Sequence, residues 1–192
     1  MPESDAEPSD RDAQWVRSVR RSDTAAFEAL FLTYYERLVR FVYGYVKSRS
    51  VAEEVVQDVF FNIWSQRDRW EVQGAVRTYL YAATRNRALN RIRRSALEQR
   101  WADGMGEDDA TAILPRIAQA NERVELTELD AAIRHAIDQL PPRCRETFVL
   151  SRQHQLSYEQ IAQVMQISVK TVQEQIARAL RSLRTSLATW LE

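Results

Sequence analysis

The chain has 192 residues, four glycines, five prolines and a formal net charge of zero, which leaves room for one or two small domains of helical composition. The single cysteine, Cys144, excludes an intrachain disulfide and offers no cysteine–histidine spacing for zinc; it is read as a small apolar helix residue, and no metal or other cofactor is expected. No apolar run approaches a membrane span and the acidic N-terminus lacks a basic-then-apolar signal, so the expectation is a cytoplasmic protein without membrane insertion. The zero charge hides a segregation: −2 over residues 1–24, +5 over 25–95, −6 over 96–130 and +3 over 131–192. Two basic blocks around an acidic one suit two DNA-contacting domains and a linker, and they also suit an ordinary solvated helical protein.

In chain order, Met1 to about Asp12 is polar and acidic with two prolines and is read as a frayed tail. A short helical turn is expected over Gln14–Arg21. Ser22 or Asp23 can cap the next helix, whose apolar face is Phe27, Leu30, Phe31, Tyr34, Leu38, Phe41, Val42 and Tyr45. Ser50 followed by Glu53 has the form of a capping box for a helix through Trp64. There Val55, Val56, Val59, Phe60 and Ile63 can pack inward, while Glu53, Glu54, Gln57, Asp58, Phe61 and Trp64 fall on other faces. An acidic ridge beside two large aromatics fits a partner-binding surface, and a helix buried on two sides fits the spacing equally well.

Gln66–Gly74 is a charged loop with Trp70 at its centre, either tucked on the core or offered to a ligand. The helix that follows points Val76, Leu80, Ala83, Ala88, Leu89 and Ile92 inward. From Arg85 to Arg94 it carries five arginines and no acid, interleaved with Asn86 and Asn90. Arginine forks match phosphates and asparagine matches base edges, so Arg85, Asn86, Arg87, Asn90, Arg93 and Arg94 are candidate nucleic-acid contacts. From Ser95 to about Glu125 the periodicity dissolves into an acidic connector containing Gly104, Gly106 and Pro115, which can lie across either basic block.

Helical spacing returns at Leu126–Leu140 through Leu129, Ile133 and Ile137. Pro141-Pro142 ends it and opens a helix that packs Phe148 and Leu150. Ser157 and Gln160 form a capping box at Tyr158, and Ile161, Ala162, Val164 and Met165 follow at helical spacing. After a break at Gln166-Ile167-Ser168, Ser168 caps a helix with the stripe Val169, Val172, Ile176, Leu180 and Leu183. This is a helix-turn-helix pattern, or a helical hairpin in a bundle. If the former, Ser168, Lys170, Thr171, Gln173, Glu174 and Gln175 sit near the end that meets base edges, and Arg178 and Arg181 further on meet phosphate. His135 and His154 have no acid, nucleophile or metal partner at helical spacing and are expected on the surface; an enzyme is not indicated.

Six stretches together resemble the extracytoplasmic-function (ECF) sigma factors of the bacterial sigma-70 family. Ala52–Trp64 is similar to that family's polymerase-binding segment, and Tyr79–Arg94 to the segment following its −10 promoter loop. Leu140–Arg143 and the pieces Leu156–Glu159, Ile161-Ala162 and Ser168–Val172 are similar to its sigma-4 domain. The chain departs from the family at Val51, where an acid is common, at Gln155, where glycine is usual, and at Gln173-Glu174-Gln175, where a basic residue often stands. The resemblance implies an all-α fold: a tail over 1–22, a sigma-2-like domain over 23–95, a linker over 96–125 and a sigma-4-like helix-turn-helix domain over 126–192. It also implies promoter-specific transcription initiation without bond chemistry. The partners it implies are core RNA polymerase, through the β′ clamp helices and the β flap, promoter DNA at its −10 and −35 elements, and an anti-sigma factor. Polymerase contact would come from Glu53, Glu54, Gln57, Asp58, Phe61 and Trp64. Contact with −10 DNA would come from Trp70 and the arginine-rich helix, and −35 reading from the helix after Ser168. A one-component helix-turn-helix regulator explains residues 156–184 alone, and a helical adaptor would show no salt-dependent DNA binding.

Overall fold

Residues 10–102 and 128–190 are described by a computed structural model, and every regular element among them is helical. The first helix, α1 (Asp10–Arg20), starts earlier and runs longer than the turn expected at Gln14. Its buried Trp15 and Val19 pack on α2, and its Asp12 Oδ2 accepts from the Val76 backbone N–H at 3.2 Å. A carboxylate read as part of a tail thus satisfies the start of a helix more than sixty residues later.

Asp23 caps α2 (Thr24–Val46) by accepting from Ala26 N–H, and the expected apolar face is present, with Leu30, Tyr34, Leu38, Phe41, Val42 and Tyr45 buried. Lys47 ends it in the left-handed region (φ 58°), and the extended Ser48 caps α3 (Arg49–Ser65). The Ser50–Glu53 box does not form: Ser50 lies inside the helix, and Glu53 accepts instead from Arg49 Nε at 2.8 Å. The five inward residues of α3 are all buried. After a 3₁₀ turn at Arg67–Arg69, α4 runs from Val76 to Ala102, seven residues beyond the point where the periodicity dissolves. The acidic connector with Gly104, Gly106 and Pro115 lies outside the described residues.

The second half begins with α5 (Glu128–Asp138) and α6 (Pro142–Arg152), with Pro142 in the first helical turn. Buried Arg145 donates to the carbonyls of Ile137 at 3.0 Å and Leu140 at 2.9 Å and to that of Asp138, placing a cation where the α5 dipole ends. The Ser157–Gln160 capping box forms at α7 (Tyr158–Met165), and Ser168 caps α8 (Val169–Ser186). One expectation fails in α8. Leu180 is 43% exposed, and the buried stripe is Val172, Ile176, Ala179 and Leu183. Those steps of four, three and four stay on one face of a 3.6-residue helix, whereas a further step of four from Ile176 rotates past it.

One apolar cluster joins both halves, from Leu38, Val42, Val56, Phe60 and Leu80 to Leu150, Leu156, Ile161, Val164 and Val172. A smaller one, with Ala136, Ile137, Leu140, Cys144, Ala179 and Leu183, holds α5, α6 and α8 together. The link between halves is made largely by α7 against α4.

Candidate nucleic-acid interface

The sharp turn at Gln166 (φ 56°) and the Ser168 cap fix where α8 leaves α7. Ser168 Oγ accepts from Thr171 N–H at 3.0 Å and lies 2.8 Å from the Thr171 hydroxyl, so these two side chains serve the cap first. Lys170, Gln173, Glu174, Arg178 and Arg181 are exposed. Gln175 is not on that surface: its amide oxygen accepts from the Thr147 hydroxyl of α6, which ties α8 to its own domain. An exposed polar face on a capped helix that follows a tight turn can enter a major groove.

The arginine run of α4 divides between two faces. Asn86, Arg87, Asn90, Arg93 and Arg94 are exposed, with Arg94 paired to Glu98 at 3.0 Å. Arg87 pairs with Asp58 of α3 at 2.6 Å, and Arg91 reaches Glu54 at 3.9 Å. The cationic face of α4 and the acidic face of α3 are therefore neighbours. Beside the acids, Phe61 is 69% exposed, whereas Trp64 is partly covered by Phe27 and by Arg67, whose guanidinium lies 4.6 Å from the ring centre. Gln57 is exposed and donates to the Tyr35 hydroxyl at 3.4 Å.

Two expected contacts are placed otherwise. Trp70 is 4% exposed, edge-on to Tyr79, and cannot offer a ring face from the loop. It instead lines a recess of about 200 Å³ with Asn62, Gln66, Arg69 and Tyr79, and its buried indole N–H has no hydrogen-bond partner. Arg85 is 5% exposed and donates through Nε to Glu146 Oε1 of α6 at 2.5 Å; the same oxygen accepts from the Tyr45 hydroxyl at 2.5 Å. Burial opposes the Arg85 charge, but the carboxylate outweighs it and the guanidinium's pKa is raised. Burial, then the charge of Glu146, pushes the Tyr45 phenol well above its usual range.

His154 also departs from expectation. It is partly buried between Phe41 and Tyr81, with Nδ1 2.9 Å from the Tyr81 hydroxyl, while Arg77 donates to its backbone carbonyl. Burial first, then Arg77, Arg40 and Arg37, depress its pKa to about 4. Arg77, Tyr81 and Arg85, spaced by four, form the α4 face turned toward the second half. Sequence reasoning missed Glu146, Tyr45 and Tyr81 because their partners lie far along the chain.

Comparison with known proteins now bears on both faces. The family model for sigma-70 region 2 matches residues 30–98, covering α3 and most of α4, and that for sigma-70 region 4 matches residues 130–183, covering the helix-turn-helix. The chain belongs to the sigma-70 family, as an ECF sigma factor. It is 29% identical over 182 residues to the RNA polymerase sigma-H factor of Pseudomonas aeruginosa, covering 93% of this chain and 94% of that protein. It is 28% identical over 172 residues to the ECF sigma-E factor of Escherichia coli, covering 88% and 90%. The structure is similar to the sigma factor RpoE of Bartonella quintana, solved with the anti-sigma factor NepR (TM-score 0.63, 22% identity, 84% of this chain and 96% of that one). It is equally similar to CnrH, solved with the cytosolic domain of CnrY (TM-score 0.63, 21% identity, 94% and 99%). This sigma factor directs promoter-specific initiation through RNA polymerase and is a regulatory initiation factor, not an enzyme. No helix among the described residues is long and apolar enough to cross a membrane.

Proposed function

We propose a division of labour in which α3 holds core polymerase, α4 and the loop before it hold the −10 strand, and α8 reads the −35 element. The observation that carries this is the pair of separate exposed polar faces, Asn86, Arg87, Asn90, Arg93 and Arg94 on α4 and Lys170, Gln173, Glu174, Arg178 and Arg181 on α8. The first suits a phosphate backbone, because fixed guanidinium forks hold an opened strand without reading it. The second suits base edges near the helix start and phosphates beyond. The recess beneath Trp70, with its unused N–H donor, suits an extruded base of the opened strand, whose unstacking costs a few kcal/mol that such contacts offset.

Glu54, Asp58 and Phe61 form a mixed acidic and aromatic patch suited to the β′ clamp helices, and region 4 would meet the β flap. An anti-sigma factor is the expected cytoplasmic regulator, supported by the complex with the anti-sigma factor NepR in which RpoE of Bartonella quintana was solved. The test is transcription in vitro with purified core polymerase and a randomised promoter library. Initiation confined to templates sharing paired −10 and −35 sequences is expected. A polymerase-independent dimeric footprint on palindromic DNA, with no transcription, would replace this reading with that of a helix-turn-helix regulator.

A further inference from the structure

The first helix, α1, takes no part in the division of labour among α3, α4 and α8. It ends at Arg20, ahead of the residues 30–98 that match region 2. Three contacts nevertheless run from it, and from the turn after it, to the loop before α4. At the start of that loop, Arg67 Nε donates to the Ser22 hydroxyl oxygen at 2.8 Å, while its Nη1 donates to the Trp64 carbonyl at 2.8 Å. In the middle, Glu71 lies 3.8 Å from Arg20. At the end, the buried Asp12 carboxylate accepts from the N–H of Val76, the first residue of α4. There it satisfies one of the free N–H groups of a helix start and faces the positive end of the helix dipole. The helix also packs on the Arg67–Arg69 turn, and its Trp15 and Val19 seat it on α2.

These contacts enclose the loop that carries Trp70 and its recess. Loops joined only at their ends fluctuate, and a site built on one binds more tightly when its shape is fixed beforehand. Fold stability gives no reason for all three contacts. The side chains of Arg20 and Glu71 are 43% and 79% exposed, so water screens their attraction and the pair adds little to stability. Ser22 has φ 63°, in the left-handed region, where glycine is at ease and a side chain is not. What glycine would lack is the hydroxyl, and that hydroxyl holds Arg67.

We propose that α1 and the Ser22 turn brace the Trp70 loop in the shape that takes up an extruded −10 base, with Asp12, Arg20 and Ser22 as positioning residues for strand opening. This rests on the assignment of the recess to such a base. The test uses holoenzyme, the full chain on core polymerase, at a promoter recovered from the randomised library. A fluorescent purine placed in turn at each −10 position brightens when it leaves the stack. One position should brighten with the unaltered protein, and Trp70→Phe, which lacks the indole N–H, should weaken that signal.

Ser22→Gly should keep or raise the melting temperature and yet reduce opening about threefold, the order of one net hydrogen bond. A purely structural Ser22 would leave opening equal or greater. Arg20→Glu should also reduce opening, and adding Glu71→Arg should restore it by reversing the pair, with binding to core polymerase unchanged throughout. Asp12→Ala should reduce opening by about tenfold, and Asp12→Asn, which keeps an acceptor for Val76, should recover most of it. If Asp12→Ala loses helicity, the exposed Ser22 and Arg20 variants decide. Opening that is unchanged in Ser22→Gly, or that Glu71→Arg does not restore, overturns the brace and leaves the recess, provided Trp70→Phe weakens the signal. If no position brightens, or Trp70→Phe has no effect, the recess assignment falls and the proposal with it.

Discussion

Glu174 and Arg181 stand exposed on the same helix, yet they should act in opposite ways on DNA. Near the helix start, a carboxylate can accept from cytosine N4 while repelling the flanking phosphates. Glu174→Gln should raise general affinity and reduce discrimination by about 1–3 kcal/mol at one base pair. Arg181→Ala, three turns into the helix, should weaken all duplexes alike and flatten the salt dependence by about one unit of slope. Binding to a −35 element randomised position by position checks both; a profile reshaped by Arg181→Ala and untouched by Glu174→Gln means α8 docks the other way round. At the other face, Asp58→Arg removes an exposed pair with Arg87 that contributes no more than about 1 kcal/mol to stability. Phe61→Ala removes a ring that is already mostly in solvent. Both variants should keep their helicity and melting temperature while losing co-purification with core polymerase, and retained co-purification moves the interface off α3.

Among the elements, the turn into α7 carries a strain that the family pattern anticipates. Gln155 has φ 52°, in the left-handed region, at the position where glycine is usual. A side chain there costs roughly 1–2 kcal/mol, partly offset by the greater freedom of glycine in the unfolded chain. Gln155→Gly should therefore stabilise the protein by about 0.5–1 kcal/mol and raise its melting temperature by a few degrees. An unchanged or lower midpoint in calorimetry would show that the Gln155 backbone is relaxed by its surroundings. A left-handed residue also sets where α3 starts. Ser48 and Ser50 both precede helical sequence, and only the left-handed Lys47 at the end of α2 makes Ser48 the extended capping residue.

For the molecule as a whole, the packed arrangement should depend on pH through His154. Its pKa is lowered to about 4 from 6.5 by burial and by Arg77, Arg40 and Arg37, and Tyr81 is its hydrogen-bond neighbour. A separated or unfolded His154 binds a proton more readily, so stability rises with pH across this window. The packed state should be fully stable above about pH 6.5 and lose up to about 3 kcal/mol as pH falls toward 4. Melting temperature measured from pH 7 to 4 should show this loss in the native protein, and less of it in His154→Phe. Equal pH profiles for the two would place the sensitivity elsewhere.

The helix faces were legible in the sequence wherever burial follows local period. The α2 and α3 stripes, the Ser157–Gln160 box and the Ser168 cap depend on residues three or four apart, and those contacts are made within one turn of helix. Both candidate helices could be found in the same way, because an arginine run and a capped polar face are local patterns. Local period also had limits: Leu180 was assigned inward, but a helix of 3.6 residues per turn buries Ala179 instead. The remaining features needed the folded chain. Asp12 caps α4, Arg85 meets Glu146, Trp70 is buried, and His154 sits between Phe41 and Tyr81. Each depends on partners distant in sequence, and an arginine on a polar-looking stretch reads as a DNA contact until packing supplies its acid.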